Sequence, residues 1–92
     1  MFIKLSYDPA KRQTTLEKRG LDFEHAVEVF SKLHYNFVDE RFDYGEVRRV
    51  SVGYLGIRMV VIVWTHRGQC RHIISMRKAN EKEQKKYQIY LG

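Results

Sequence analysis

"MVVIVWTHRGQCRHIISMRKANEKE", residues 59–83, holds the reading on which the fold turns. Met59–Thr65 is apolar on both side-chain phases, which predicts a central strand covered on both faces. The run is far short of the ~20 apolar residues needed to cross a bilayer, so it is a core strand of a soluble domain with no membrane contact. A turn at His66–Gly68 leads into a second strand over 70–76. That strand carries Arg71, Ile73, Ser75 and Arg77 in one phase, where an ordinary core strand would be apolar. Asn80, with Glu83 three residues later, then reads as the N-cap and capping box of a closing helix. Tyr87, Tyr90 and Leu91 fall on one side of that helix.

Outward from this hairpin, residues 34–39 and 47–53 read as two further strands, with turns near Asp43–Gly45 and Gly53–Gly56. Phe2–Tyr7 alternates and reads as a short first strand. Asp8-Pro9 starts a helix, because Asp caps free N–H groups and Pro loses nothing at the first helical position. Gly20 ends it. Asp22 starts a second helix whose Phe23, Ala26, Val27 and Phe30 have the spacing of a buried face. The order is β–α–α–β–β–β–β–α. It predicts an α+β domain: a short N-terminal strand and helical hairpin packed on an antiparallel sheet, with a C-terminal helix. Helices on one face would leave the other face free for a site.

Ninety-two residues make one domain, residues 1–92, and 43% hydrophobic content is enough for a packed core. The single Cys70 excludes an internal disulfide framework and suits a reducing cytoplasm. Four scattered His residues and one Cys give no metal-ligand spacing, so neither metal nor cofactor is expected. Net charge is +6, unevenly spread. Residues 1–40 hold 6 basic and 7 acidic side chains, and residues 41–92 hold 11 and 4. A concentrated positive half points to an anionic partner, nucleic acid or an acidic protein surface.

Arg48 shares its phase with Val50, Val52 and Tyr54, so Arg48 and Arg71 are expected to converge on one phosphate if their strands are neighbours. Arginine suits that task through its planar fork and permanent charge. The plain alternative has each arginine at a strand end, snorkelling into water or pairing with Glu46 or Asp43. RNA cleavage without metal needs a proton acceptor, a proton donor and positive charge on the pentavalent phosphate. Glu24, Lys18, Tyr87 and the histidines are the proton carriers available. Arg48, Arg71, Arg77, Lys18 and Glu24 are therefore the candidate catalytic residues, with Ser75, Lys78 and Tyr87 as candidate RNA contacts. No His/His or Cys/His pair has the spacing of a nucleophile and its base.

Three blocks, "YDPAKRQTTLEKRGLDFEHAVEVF", "GEVRRVSVG" and "RHIISMRKANEKE", resemble in order and spacing the BrnT toxins of bacterial type II toxin–antitoxin systems. The matching positions are Asp8, Pro9, Lys11, Lys18, Gly20, Phe23, Glu24, Ala26, Phe30, Arg48, Gly53, Arg71, Ile73, Ser75, Arg77, Ala79 and Glu83. The chain departs from the family pattern at Tyr7, where Trp is usual, at Thr15, where Asn is usual, and at Arg19, where His is usual. The resemblance implies a RelE-like fold and RNA cleavage that stops translation and growth. It also implies a ribbon-helix-helix antitoxin of the BrnA type, whose complex with the toxin binds operator DNA. Two alternatives stand beside it: a non-catalytic nucleic-acid-binding module, and a ParE-like toxin acting on a topoisomerase.

Overall fold

The Asp8 carboxylate accepts the Ala10 N–H at 2.9 Å, Pro9 takes the first helical position, and Gly20 closes the helix at φ 67°. A left-handed residue there costs glycine nothing, which fixes where helix α1 (Pro9–Arg19) stops. The computed structural model describes residues 3–41, 43 and 45–92. Strand β1 (Leu5–Tyr7) precedes α1, and a 3-10 turn (Phe23–His25) runs into α2 (Ala26–Phe30). Strands β2 (Tyr35–Asp39), β3 (Arg48–Leu55), β4 (Arg58–Arg67) and β5 (Cys70–Lys78) follow, then α3 (Glu81–Leu91). Phe2 of the expected first strand and Tyr44 of the expected first turn lie outside the described residues.

The sheet order is β1-β5-β4-β3-β2, so β4 is central as its composition requires. Met59, Val60, Val61, Ile62, Trp64 and Thr65 are all buried. Strands β2 to β5 form the expected antiparallel meander. The sheet as a whole is mixed, because β1 pairs with β5 in parallel. The helices carry the chain from β1 to the opposite edge, and the meander returns so that its last strand lies beside the first.

Each face has its own core. On one, Phe23, Ala26, Val29 and Phe30 pack against Val60, Ile62, Trp64, Ile73 and Met76. On the other, Tyr87 of α3 packs with Val50, Val52, Met59 and Val61. Two expectations are corrected here. Val27 is exposed and Val29 takes its place inside, because the 3-10 start winds more tightly than the α-helical spacing assumes. The second face is not free either; α3 covers part of it. The α3 terminus itself is as read, with Asn80 and Glu83 forming a reciprocal capping box.

A third correction decides the site. Val63 pairs with Ser75 but Trp64 pairs with Ile73, so Ile74 is an extra residue in β5, a β-bulge. Directly paired residues share a face, so Arg71 and Ile73 lie with Trp64 on the hairpin side. Ser75 and Arg77 lie with Val63 and Val61 on the α3 side. Strict alternation would have placed all four together. The pairing of β1 also stops at Ile73, one residue before the bulge.

Gly53 tests the packing of α2 on the sheet. A Cβ there would sit 2.8 Å from Val29 Cγ1 and 3.1 Å from His34 Cβ. Gly53→Ala is expected to cost about 1–3 kcal/mol of unfolding free energy through overpacking, read from urea denaturation. A midpoint unchanged from wild type would show that α2 is not seated on β3 as described.

Candidate functional site

Helix α1 buries no residue, which is unusual for a helix fixed to a small domain. Polar tethers hold it instead. The Arg12 guanidinium donates to both Asp22 oxygens, from Nε at 2.8 Å and Nη2 at 3.0 Å. That fork holds the Asp22 carboxyl down at about 2. At the other end Arg19 Nη1 donates to the Met76 carbonyl at 2.9 Å, on the stretch of β5 that β1 leaves open.

Between α1 and this stretch runs an open groove of about 390 Å³, lined by Lys11, Thr14, Thr15, Lys18, Arg19, Ile74 and Ser75. It continues into a second hollow formed by Lys18, Arg19, Arg77 and Lys78. Five cations and three hydroxyls thus line one strand edge, with no carboxylate among the lining residues. Lys11, Thr14, Thr15 and Lys18 stand at i, i+3, i+4 and i+7, so α1 presents them on one face. Arg77 is oriented from below: Nη1 and Nη2 donate to the two Glu83 oxygens at 2.7 and 2.8 Å. The same fork holds the Glu83 carboxyl at about 2 and raises Arg77 further. Such a groove has the chemistry to accept a chain of phosphates: fixed positive charge along an edge, with hydroxyl donors between.

Four of the eight residues singled out in the sequence meet here: Lys18, Ser75, Arg77 and Lys78. The other four do not. Arg48 lies on the α3 face, in phase with Val50 and Val52, with its Nε 3.9 Å from a Glu46 oxygen. Arg71 lies on the hairpin face over the rings of Phe30 and Trp64. Their expected convergence on one phosphate is overturned by the sheet register. Glu24 accepts from the Tyr7 hydroxyl, which raises the Tyr7 ionisation, and it does not line the groove. Tyr87 is buried and stacked on Phe37 in the second core, and it does not line the groove.

Lys11, Thr14, Thr15, Arg19 and Arg49 were not among the candidates. The α1 residues were legible through their helical spacing. Arg49 was hidden in the opposite phase from Arg48, and only its pairing with Trp64 places it on the hairpin face.

No cluster of three His, Cys, Asp or Glu able to hold a metal ion occurs among the described residues. Among them, no helix is long and apolar enough to cross a membrane.

A family model described as the ribonuclease toxin BrnT of type II toxin–antitoxin systems matches residues 7–83. The crystal structure of the Brucella abortus ribonuclease toxin BrnT superimposes with a TM-score of 0.69 at 28% sequence identity, covering 87% of this chain and 100% of that one. Comparison with curated proteins gives no significant match.

The Arg77–Glu83 pair predicts an acid dependence. Glu83 ionises in the folded state well below an unfolded glutamate, near 4.3. Its contribution to stability is therefore complete above that value and is lost as pH falls toward 2. Urea midpoints measured at pH 5 and pH 2.5 should fall in the wild type and fall less in Glu83→Gln. Equal falls would show that the pair contributes nothing.

Proposed function

The chain belongs to the BrnT family of ribonuclease toxins of type II toxin–antitoxin systems, and from that premise we propose that it is a metal-independent endoribonuclease that stops translation and growth by cutting RNA in the α1–β5 groove. The observation that carries this reading is the convergence of Lys18, Arg19, Arg77 and Lys78 on one hollow without a lining carboxylate. Attack of a ribose 2′-hydroxyl on the adjacent phosphorus breaks the bond to the 5′-oxygen and concentrates negative charge on the phosphate. Preorganised cations stabilise that charge more than they stabilise the ground state. Arg77 is held in one orientation by Glu83 and presents a fixed donor. Lys18, on α1, closes the hollow from the other side, and the Ser75 hydroxyl lines the same groove. The ordered guanidinium of Arg19 takes the place where the family pattern has His, so transition-state charge is met here by a permanent cation.

A type II toxin has an antitoxin as its partner. We place the antitoxin, of the ribbon-helix-helix type, over the groove, with operator DNA bound through it and the complex in the cytoplasm. The exposed flank of α1 supports this reading: no residue of the helix is fully buried, Leu16 is 38% exposed, and the helix's cations suit an acidic or amphipathic covering segment.

Purified protein incubated with RNA in EDTA should cut it, and Lys18→Ala should lower the rate about 10²-fold without loss of fold. Intact RNA with folded wild-type protein would leave the nucleic-acid-binding module and the topoisomerase-directed toxin. Undiminished cutting by Lys18→Ala and Lys78→Ala would move the chemistry out of the groove.

A further inference from the structure

Away from the groove, the hairpin face carries two guanidinium groups with no acceptor among the described residues. Arg71 lies 4.6 Å above the Phe30 ring centroid and 4.5 Å above that of Trp64, while those rings meet edge to face at 5.5 Å. Arg49 is directly paired with Trp64 across the sheet, and its charge lowers the Arg71 ionisation, second only to burial. Neither arginine makes a side-chain hydrogen bond or ion pair among the described residues. Both are half-buried. The indole beneath Arg71 is fixed: Trp64 Nε1 donates to Ser51 Oγ at 2.8 Å, and that hydroxyl bonds Asn36. His66, cross-strand from Arg71, stands with its ring 5.0 Å from the indole.

Two like charges brought together, partly desolvated and without a counter-charge, cost stability unless an anion completes them. The two buried rings hold Arg71 in place, and its N–H groups, which no acceptor among the described residues takes up, stay available to an anion. We propose that Arg49 and Arg71 form a second phosphodiester subsite, which grips the RNA strand outside the α1–β5 groove. This rests on the ribonuclease reading above. The subsite lies roughly 13 Å from Ser75 along β5, a span that one extended RNA strand covers in a few nucleotides. RNA is favoured over an acidic peptide because a stacked guanidinium and the neighbouring His66 ring also offer planar surfaces to bases flanking the phosphate. A carboxylate chain makes no use of them.

Trp64 is the single tryptophan of the chain, so its emission reports on this subsite. The probe is a hexaribonucleotide with 2′-O-methyl riboses, which lacks the attacking hydroxyl. Its titration should shift Trp64 emission saturably. Arg49→Gln should raise Kd about tenfold and flatten the slope of log K against log salt by about 0.7, the share of one phosphate on a single strand. Arg71→Lys, which keeps the charge but loses the planar fork, should also raise Kd severalfold. In cleavage, Arg49→Gln should raise KM for long RNA and leave kcat unchanged. A wild-type Kd and salt slope in both variants, with urea midpoints showing them folded, would overturn the proposal. So would a Trp64 response to hexaglutamate and none to the hexanucleotide. A protein that cuts no RNA yet shows the Arg49-dependent response would support the subsite and overturn the ribonuclease reading alone.

Discussion

One extra residue in β5 organises this molecule. The bulge at Ile74 lets Ile73 and Met76 both point into the hairpin-side core, three positions apart, where strict alternation would send one of them to the other face. It turns Ser75 and Arg77 away from Arg71, and Arg77 thereby reaches Glu83 at the start of α3. The bulge also falls where β1 stops pairing, so the far half of β5 keeps an open edge. Helix α1 docks against that edge through Arg19. Without the bulge, the groove would lack its oriented arginine; its strand edge is left by β1, which ends where Asp8-Pro9 starts α1.

How much of this was legible in the sequence depended on whether the controlling interaction was local. Asp8-Pro9, Gly20, Asn80 and Glu83 act through hydrogen bonds within a few residues, and all stand where their chemistry places them. The central position of β4 was legible too, since only a strand covered twice can be apolar in both phases. The bulge was not. Its cause is the joint demand of two cores on one strand, and "RHIISMR" carries no glycine to mark it. The grouping of Arg71 with Ser75 and Arg77 fails at that residue, while the expected meeting of Arg48 and Arg71 fails through the register of β3, β4 and β5. The parallel pairing of β1 was hidden for a related reason: a three-residue strand chooses its neighbour by where the whole meander ends.

The arginines fall into two kinds. On the α3 face Arg77, Arg41 and Arg48 each have a carboxylate nearby, in Glu83, Asp39 and Glu46. Those contacts orient side chains and fasten α3 and the β2–β3 end of the sheet. On the hairpin face and along the β5 edge, Lys11, Lys18, Arg49, Arg71 and Lys78 make no ion pair among the described residues. Arg77 belongs to both groups, since it lines the groove while bonded to Glu83. It is the one link between the structural charges and the open ones.

That division argues against a basic surface that is merely solvated. Solvated lysines and arginines extend into water and need no aromatic support, whereas Arg71 lies over two buried rings beside another guanidinium. A helix kept only for stability would bury an apolar face, yet α1 is tied at its ends and has no fully buried residue. The close, partly buried like charges cost the free chain stability, and a domain tends to keep such departures where binding restores what folding gave up. A polyanion that spans the groove and the Arg49–Arg71 pair would satisfy both together. An inhibitor that covers α1 would then block the groove while leaving Arg49 and Arg71 open, and the inhibited protein would keep a weak, salt-sensitive hold on RNA.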